Sequence, residues 1–383
     1  MSNQKFIPLS VPNISGNEWK YVKDCLDTGW ISSVGSYVTK FEEEVAKYVG
    51  AKYGIAAVNG TAAIHICLKL IGVGLNDYVI MPNITFVATA NAIKYTGADP
   101  ILIDADPDDW QMDLELLENF LQNETAFDGE GHLIHKKDRR KIKAILPVHV
   151  QGNIGNMDHL MEIANKYHLP IIEDSAEALG STYKGQHAGT FGLMGCLSFN
   201  GNKIISTGGG GIILTSDDKL AQRAKHITTT AKTNSLEYHH DEVGFNYRLV
   251  NVLAAIGVAQ MEGLDKFIAR KKEIGAFYRE NLNGVADIRF QQIRPDVSFN
   301  NWLFTIQTKH QKKLISELNA QNIVCRPFWM PMYKLPMYSN CIYVSKQDNC
   351  DYIHKTCMAI PCSTSILDEE LEIVTSQIKK IVA

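Results

Sequence analysis

Between residues 54 and 215, short apolar runs rich in β-branched residues alternate with longer stretches of helical periodicity. No other feature of the sequence constrains the fold as much. The runs are GIAAV (54–58), YVIM (78–81), PILI (100–103), AILPVHV (144–150), PIIED (170–174), GCLSF (195–199) and GIILT (211–215). Between them lie patterns such as NMDHLMEIANKYH (156–168). The segment GTAAIHICLKLIG, directly after the first run, sets Ala63, Ile64, Cys67, Leu68 and Ile71 on one helical face. Strands this apolar, separated by helices, read as a largely parallel sheet covered on both faces.

Past residue 250 the pattern changes. NVLAAIGVAQMEGLDKFIARKKEIGAFYRENL reads as one long helix, ADIRF and WLFTIQT as strands, and KKLISELNAQ and DEELEIVTSQIKKIV as helices. The expected architecture is therefore α/β. A large domain spans 1–250, and a smaller α+β domain spans 251–383 and includes the long connecting helix. A length of 383 residues agrees with two cores. The stretch 123–141 carries many charges and no apolar period. It reads as an exposed insertion, with HKKDRR (135–140) as a solvated hairpin.

A 45% apolar and 21% charged composition argues against disorder, and a net charge of −4 advertises no nucleic-acid or membrane surface. The first residues show no signal pattern and no apolar run approaches a membrane span, so the expected location is cytoplasmic. Eight cysteines without a CxxC pair suit buried, reduced thiols. YHHDE (238–242) reads as a polar loop, because no third ligand stands at a recognisable spacing; no metal site is expected.

Ligands of open α/β sheets bind where strands end. After the first strand, Gly60, Thr61 and Ala62 open a helix, which is either an anion site or an ordinary cap. Phe86 follows the second strand, and either stacks on a flat group or packs in the core. Asp174 ends a strand at a place costly for an unpaired carboxylate; its partner is a protonated ring nitrogen or a plain cation. Ser198 ends another strand, Lys203 follows by five positions, and then come the four glycines 208–211. A nucleotide-binding P-loop would put the lysine after its last glycine, and no GxGxxG opens the first strand–helix unit. Together an anion site, an aromatic plate, a carboxylate, a hydroxyl and a lysine are the parts a pyridoxal phosphate site needs.

An ordered series of motifs then resembles the DegT/StrS-type pyridoxal-phosphate-dependent nucleotide-sugar aminotransferases almost end to end. It runs through DTGWISSVG, AVNGTAAI, TFVATANAI, PVHVQGN, IIEDSAEALGS, GTFGLMGCLSFNGNKIISTGGGG, GFNYRLVNVLAAIGVAQME, RPFWMPMY and AIPCSTS. The resemblance implies the type I aminotransferase fold, pyridoxal 5′-phosphate as cofactor, L-glutamate and a nucleotide sugar as substrates, and a homodimer with shared sites. It implies Lys203 as the Schiff-base lysine and Asp174 as the partner of the pyridine nitrogen. Phe86 would stack on the ring, and Gly60, Thr61 and Ser198 would hold the phosphate. Asn246 would reach the cofactor phosphate of the partner subunit. Glu177 stands near the ring where the family usually has His or Gln, and Gly209 where it usually has Glu. Lysine at 203, rather than the histidine of related dehydratases, implies transamination. Within the family the resemblance points to enzymes that aminate carbon 4 of UDP-linked 4-keto-6-deoxy N-acetylated sugars of the bacillosamine and legionaminic acid type. The resemblance also implies that Trp30, Ser33, Arg326, Trp329 and Tyr333 fall in segments where the family contacts its nucleotide sugar. His149 falls near the cofactor, or else makes a structural hydrogen bond.

Overall fold

A computed structural model of the chain describes residues 5–234 and 236–383. The strands predicted from the apolar runs assemble side by side, joined at one edge by Ile342–Val344, which no apolar run announced. Their order is Tyr53–Ala57, Gly211–Thr215, Met194–Ser198 and Ile172–Asp174 in one half. In the other half it is Ile142–Ile145, Tyr78–Pro82, Asp99–Ile103 and Ile342–Val344. Parallel bridges at Ile145–Ile171 and Val148–Asp174 join the halves. Every pair is parallel except those of Gly211–Thr215, which runs against both neighbours. The loop 199–210 that precedes this strand contains no helix of the kind that usually carries a parallel crossover. The run AILPVHV is strand only to Ile145, because Pro147 has no N–H to give a ladder.

The helix Gly60–Leu70 is apolar on nearly every side, and residues 62–68 are all buried. It is therefore an interior helix rather than the one-faced helix its periodicity suggested. Its Cys67 meets Cys196 of the strand Met194–Ser198, with sulfurs 3.5 Å apart in the interior. Seven of the eight cysteines are buried and all are free thiols.

The long helix after residue 250 is two helices, Asn251–Glu262 and Leu264–Leu282. Gly263, at φ −98° and ψ −4°, lies in the bridge region and turns the chain between them. A second, antiparallel sheet orders Arg289–Phe290, Phe304–Gln307, Cys357–Ile360 and Arg326–Pro327. The stretch expected as an exposed insertion is a hairpin, Thr125–Phe127 against Leu133–His135, whose Thr125, Leu133, Ile134 and His135 are buried. Leu133, Ile134 and His135 are buried in succession, a run too short to stand out among the flanking charges. No helix among the described residues is long and apolar enough to cross a membrane.

Candidate active site

At the carboxyl ends of these strands lies a cavity of about 560 Å³. Gly60, Thr61, Phe86, Asp174, Glu177, Ser198, Lys203, Arg326 and Trp329 all line it, although they come from five separate stretches of chain.

The wall at Gly60 is built by close approach. Asn59 caps the helix Gly60–Leu70, its side chain accepting from the N–H of Ala62 at 2.8 Å. The first N–H groups of a helix have no partner within it, and its dipole favours an anion there. A Cβ on Gly60 would stand 2.9 Å from Ser198 Cβ, so only glycine brings the helix start and the serine hydroxyl to one spot.

Asp174 and its neighbour divide by strand alternation. Glu173 points away from the cavity and is fully buried. It accepts from the N–H groups of Gly189, Phe191 and Gly192, and pairs with His149 Nε2 at 2.8 Å. His149 thus makes a structural bond and does not line the cavity. Asp174 faces the cavity, receiving Thr89 Oγ1 at 2.7 Å and the N–H of Ala176 at 3.1 Å. Burial raises its pKa; these bonds and the charge of Lys203 oppose the rise.

Lys203 sits on a loop pinned at its base by Phe199 N–H to Gly210 O and Thr207 N–H to Phe199 O, both 2.9 Å. Buried Ile204 and Ile205 anchor its far side. The lysine Nζ is 3.7 Å from Glu177 Oε1 and 4.0 Å from the centroid of the Trp302 ring. Burial lowers the pKa of Lys203, opposed by Glu177 and Asp174. Burial likewise pushes Glu177 up to about 7, against Lys203 and the N–H of Gln151 at 2.8 Å. Gln151 holds that N–H in place from a left-handed conformation, φ +63°, which costs a non-glycine residue about 1 kcal/mol or more.

The glycine run is backbone shaping. Gly208 is left-handed at φ +79°, and a Cβ on Gly210 would strike Thr207 Oγ1 at 2.4 Å. A Cβ on Gly211 would lie 2.5 Å from the Asn59 carbonyl group. Gly209 alone is unconstrained, with Val58 O at 3.9 Å, and it lines the cavity.

Phe86 is 55% exposed at the cavity, not packed in the core. Trp30, Ser33, Asn246 and Tyr333 do not line the cavity in the single chain. Trp30 and Asn246 are exposed, Ser33 is half-buried, and the Tyr333 hydroxyl donates to Asp348. Thr89, Gln151 and Trp302 line it and were missed from sequence. The loop YHHDE gains a neighbour the spacing could not show, since His226 approaches Asp241 at 2.7 Å. The Arg223 guanidinium takes both oxygens of Glu242, and the cluster reads as an exposed ion-pair network.

Backbone N–H groups and a hydroxyl at a glycine-made cradle, a buried carboxylate and a lysine amine in one cavity fit pyridoxal phosphate. Comparison with known proteins agrees. The profile of the DegT/DnrJ/EryC1/StrS aminotransferase family matches residues 12–379. The chain is 39% identical to the GDP-perosamine synthase of Escherichia coli O157:H7, over 88% of each chain. It is 35% identical to the putative pyridoxal phosphate-dependent aminotransferase EpsN of Bacillus subtilis, over 96% of this chain and 93% of that one. It is 32% identical to a UDP-2-acetamido-2-deoxy-3-oxo-D-glucuronate aminotransferase of Pseudomonas aeruginosa, over 84% and 86%. Among solved structures, DesV of S. venezuelae superposes with a TM-score of 0.86 at 26% identity, over 96% and 94%. Family profile, relatives and fold converge: this chain belongs to the DegT/DnrJ/EryC1/StrS aminotransferase family and is a pyridoxal-phosphate-dependent aminotransferase.

Proposed function

We propose that this enzyme moves the amino group of L-glutamate to the 4-keto group of a nucleotide-linked 4-keto-6-deoxy sugar, working as a homodimer. The observation that carries the reading is the convergence of Lys203, Asp174 and the helix start at Gly60 in one cavity. When bound, the cofactor supplies an electron sink for the carbanion at the carbon that loses or gains its proton. Asp174 keeps the ring nitrogen protonated, and Thr89 and Ala176 aim its carboxylate. Gly60, Thr61 and Ser198 hold the phosphate, and Phe86 covers the ring. Lys203 would hold the cofactor's aldehyde, and its freed Nζ would serve as the base that takes and returns the substrate's proton. The burial that lowers its pKa favours the neutral amine that takes up the proton.

Asn246 completes the phosphate site of the partner subunit. The exposed apolar side chains of Trp30, Ile31 and Val34 support a covered face there. Arg326, on the cavity wall, meets the diphosphate, and Trp329 packs beside the sugar. Guanosine diphosphate is the favoured carrier, because relatives at 39%, 37% and 33% identity are GDP-perosamine synthases. The UDP-linked N-acetylated sugar expected from sequence stands second, supported by the relative at 32% that acts on a UDP-linked keto sugar. Incubation with L-glutamate and a panel of GDP-, UDP- and dTDP-linked 4-keto-6-deoxy sugars, read by mass spectrometry, tests both. Amination of the GDP sugar with release of 2-oxoglutarate is expected; no aminated sugar from any carrier would refute the reading.

A further inference from the structure

Trp302 is buried, and each of its polar groups is engaged. Its backbone N–H donates to Asn300 Oδ1 at 2.9 Å, and its indole N–H donates to the carbonyl of Asn202 at 2.7 Å. Its own carbonyl accepts from Lys271 Nζ at 2.7 Å. Lys271 is buried with two backbone carbonyls, of Trp302 and Cys362, as its oxygen acceptors, so an interior lysine amine fixes this segment. Trp329 lies parallel to the indole, with centroids 6.4 Å apart and planes at 19°. The indole is thus tied to the residue next to Lys203, and its ring lies 4.0 Å from the Lys203 amine. A cation within about 6 Å of an indole face is attracted to it, and more strongly where water is excluded.

We propose that Trp302 is the positioning residue for the Lys203 amine, fixing where it stands and strengthening its hold on a proton whenever it is not bonded to the cofactor. The inference rests on the reading that Lys203 is the amine that carries the cofactor. Glu177 at 3.7 Å stands on the same amine, and Asp174 adds a more distant negative charge. Arg326, from the strand that closes the cavity, is the opposing cation on the wall. Trp302 differs from all three in that it does not titrate. It favours the charged amine at every pH and fixes where the amine waits between the two half-reactions.

The test compares the wild type with Trp302→Phe and Trp302→Leu. In the apoprotein, the pH dependence of Lys203 reductive methylation, followed on its peptide by mass spectrometry, gives the midpoint of amine ionisation. The leucine variant is expected to lower that midpoint by about one pH unit, a tenfold change in the dissociation constant. Phenylalanine, which keeps a ring face, restores part of the shift. In the holoenzyme the leucine variant is expected to lose about tenfold in kcat with little change in the KM for glutamate. If the leucine variant does not fold, fluorinated tryptophan at the five tryptophan positions keeps the shape while weakening the ring's negative face, and the same downward shift is expected. Equal midpoints in the folded proteins overturn the proposal. Borohydride reduction of the wild-type holoenzyme separates the two levels. Cofactor fixed on another residue refutes the site itself and this inference with it; cofactor fixed on Lys203 with unmoved midpoints refutes the inference alone.

Discussion

Gly211→Ala should damage the cofactor site from behind, without touching the cofactor. The new Cβ would lie 2.5 Å from the carbonyl carbon and oxygen of Asn59 and 2.8 Å from the N of Gly60, where ordinary contact begins at 3.4 Å. The strand Gly211–Thr215 cannot retreat, since Gly211 is in register with Ala57 on one edge and Ser198 on the other. The helix start must therefore shift by most of an ångström, or the strand must unpair. Overpacking of this kind costs about 1–3 kcal/mol. Turned on the N–H groups that hold the phosphate, it should weaken cofactor binding by about 10- to 100-fold. Titration of apoprotein with pyridoxal phosphate, followed by absorbance, reads the loss directly. Gly209→Ala is the matched control, because its nearest neighbour is 3.9 Å away; it should bind cofactor as the wild type does. Normal affinity in Gly211→Ala, or equal losses in both variants, would refute the argument that the run exists for close approach.

Other expectations follow from the same geometry. Lys203→Ala should lose the visible absorbance of the covalently held cofactor and about a thousandfold or more in turnover; a variant retaining both removes Lys203 from its role. Asp174→Asn should still bind cofactor but lose at least about a hundredfold in kcat, measured by 2-oxoglutarate release. Glu177, with a pKa raised to about 7, holds a proton in the folded apoprotein that the unfolded chain has already lost above its ordinary value of 4.5. Its contribution to stability therefore falls as pH rises from 4.5 through about 7, and Glu177→Gln should flatten that part of the urea-denaturation profile. Glu173→Ala would leave three backbone N–H groups and His149 without their buried acceptor. A loss of about 3–5 kcal/mol in unfolding free energy is expected, with near-normal activity in the protein that remains folded.

What could be read from the sequence is what short-range pattern controls. Each strand of the large sheet preceding residue 216 was visible as an apolar run, because a strand buried on both faces draws most of its residues from the apolar set. Asp174, Ser198 and Lys203 were visible because each stands at or just beyond a strand end, where ligands bind. Thr89, Gln151 and Trp302 were not. Thr89 is one hydroxyl in a helix, and only the fold sets it 85 positions away against Asp174. Gln151 matters through its backbone N–H, which carries no residue signature. Trp302 opens an apolar run and looks like core, which it also is. The Gly263 turn was masked because the helical period continues in phase across it. The strand Ile342–Val344 was hidden for the opposite reason: three half-buried residues are too short a run to announce a partner 241 positions upstream.

The contact between Cys67 and Cys196 gives the site its own gauge of opening. One sulfur rides on the helix whose start cradles the phosphate, the other on the strand that ends in Ser198. No external thiol reagent reaches either while helix and sheet remain packed. Their labelling rate therefore counts the excursions in which the cradle comes apart. Cofactor bound at a hundred times its dissociation constant should slow that count by about a hundredfold, if it binds only the packed form. A chain with no engineered reporter can thus show, through two buried thiols, how tightly its own cofactor holds it shut.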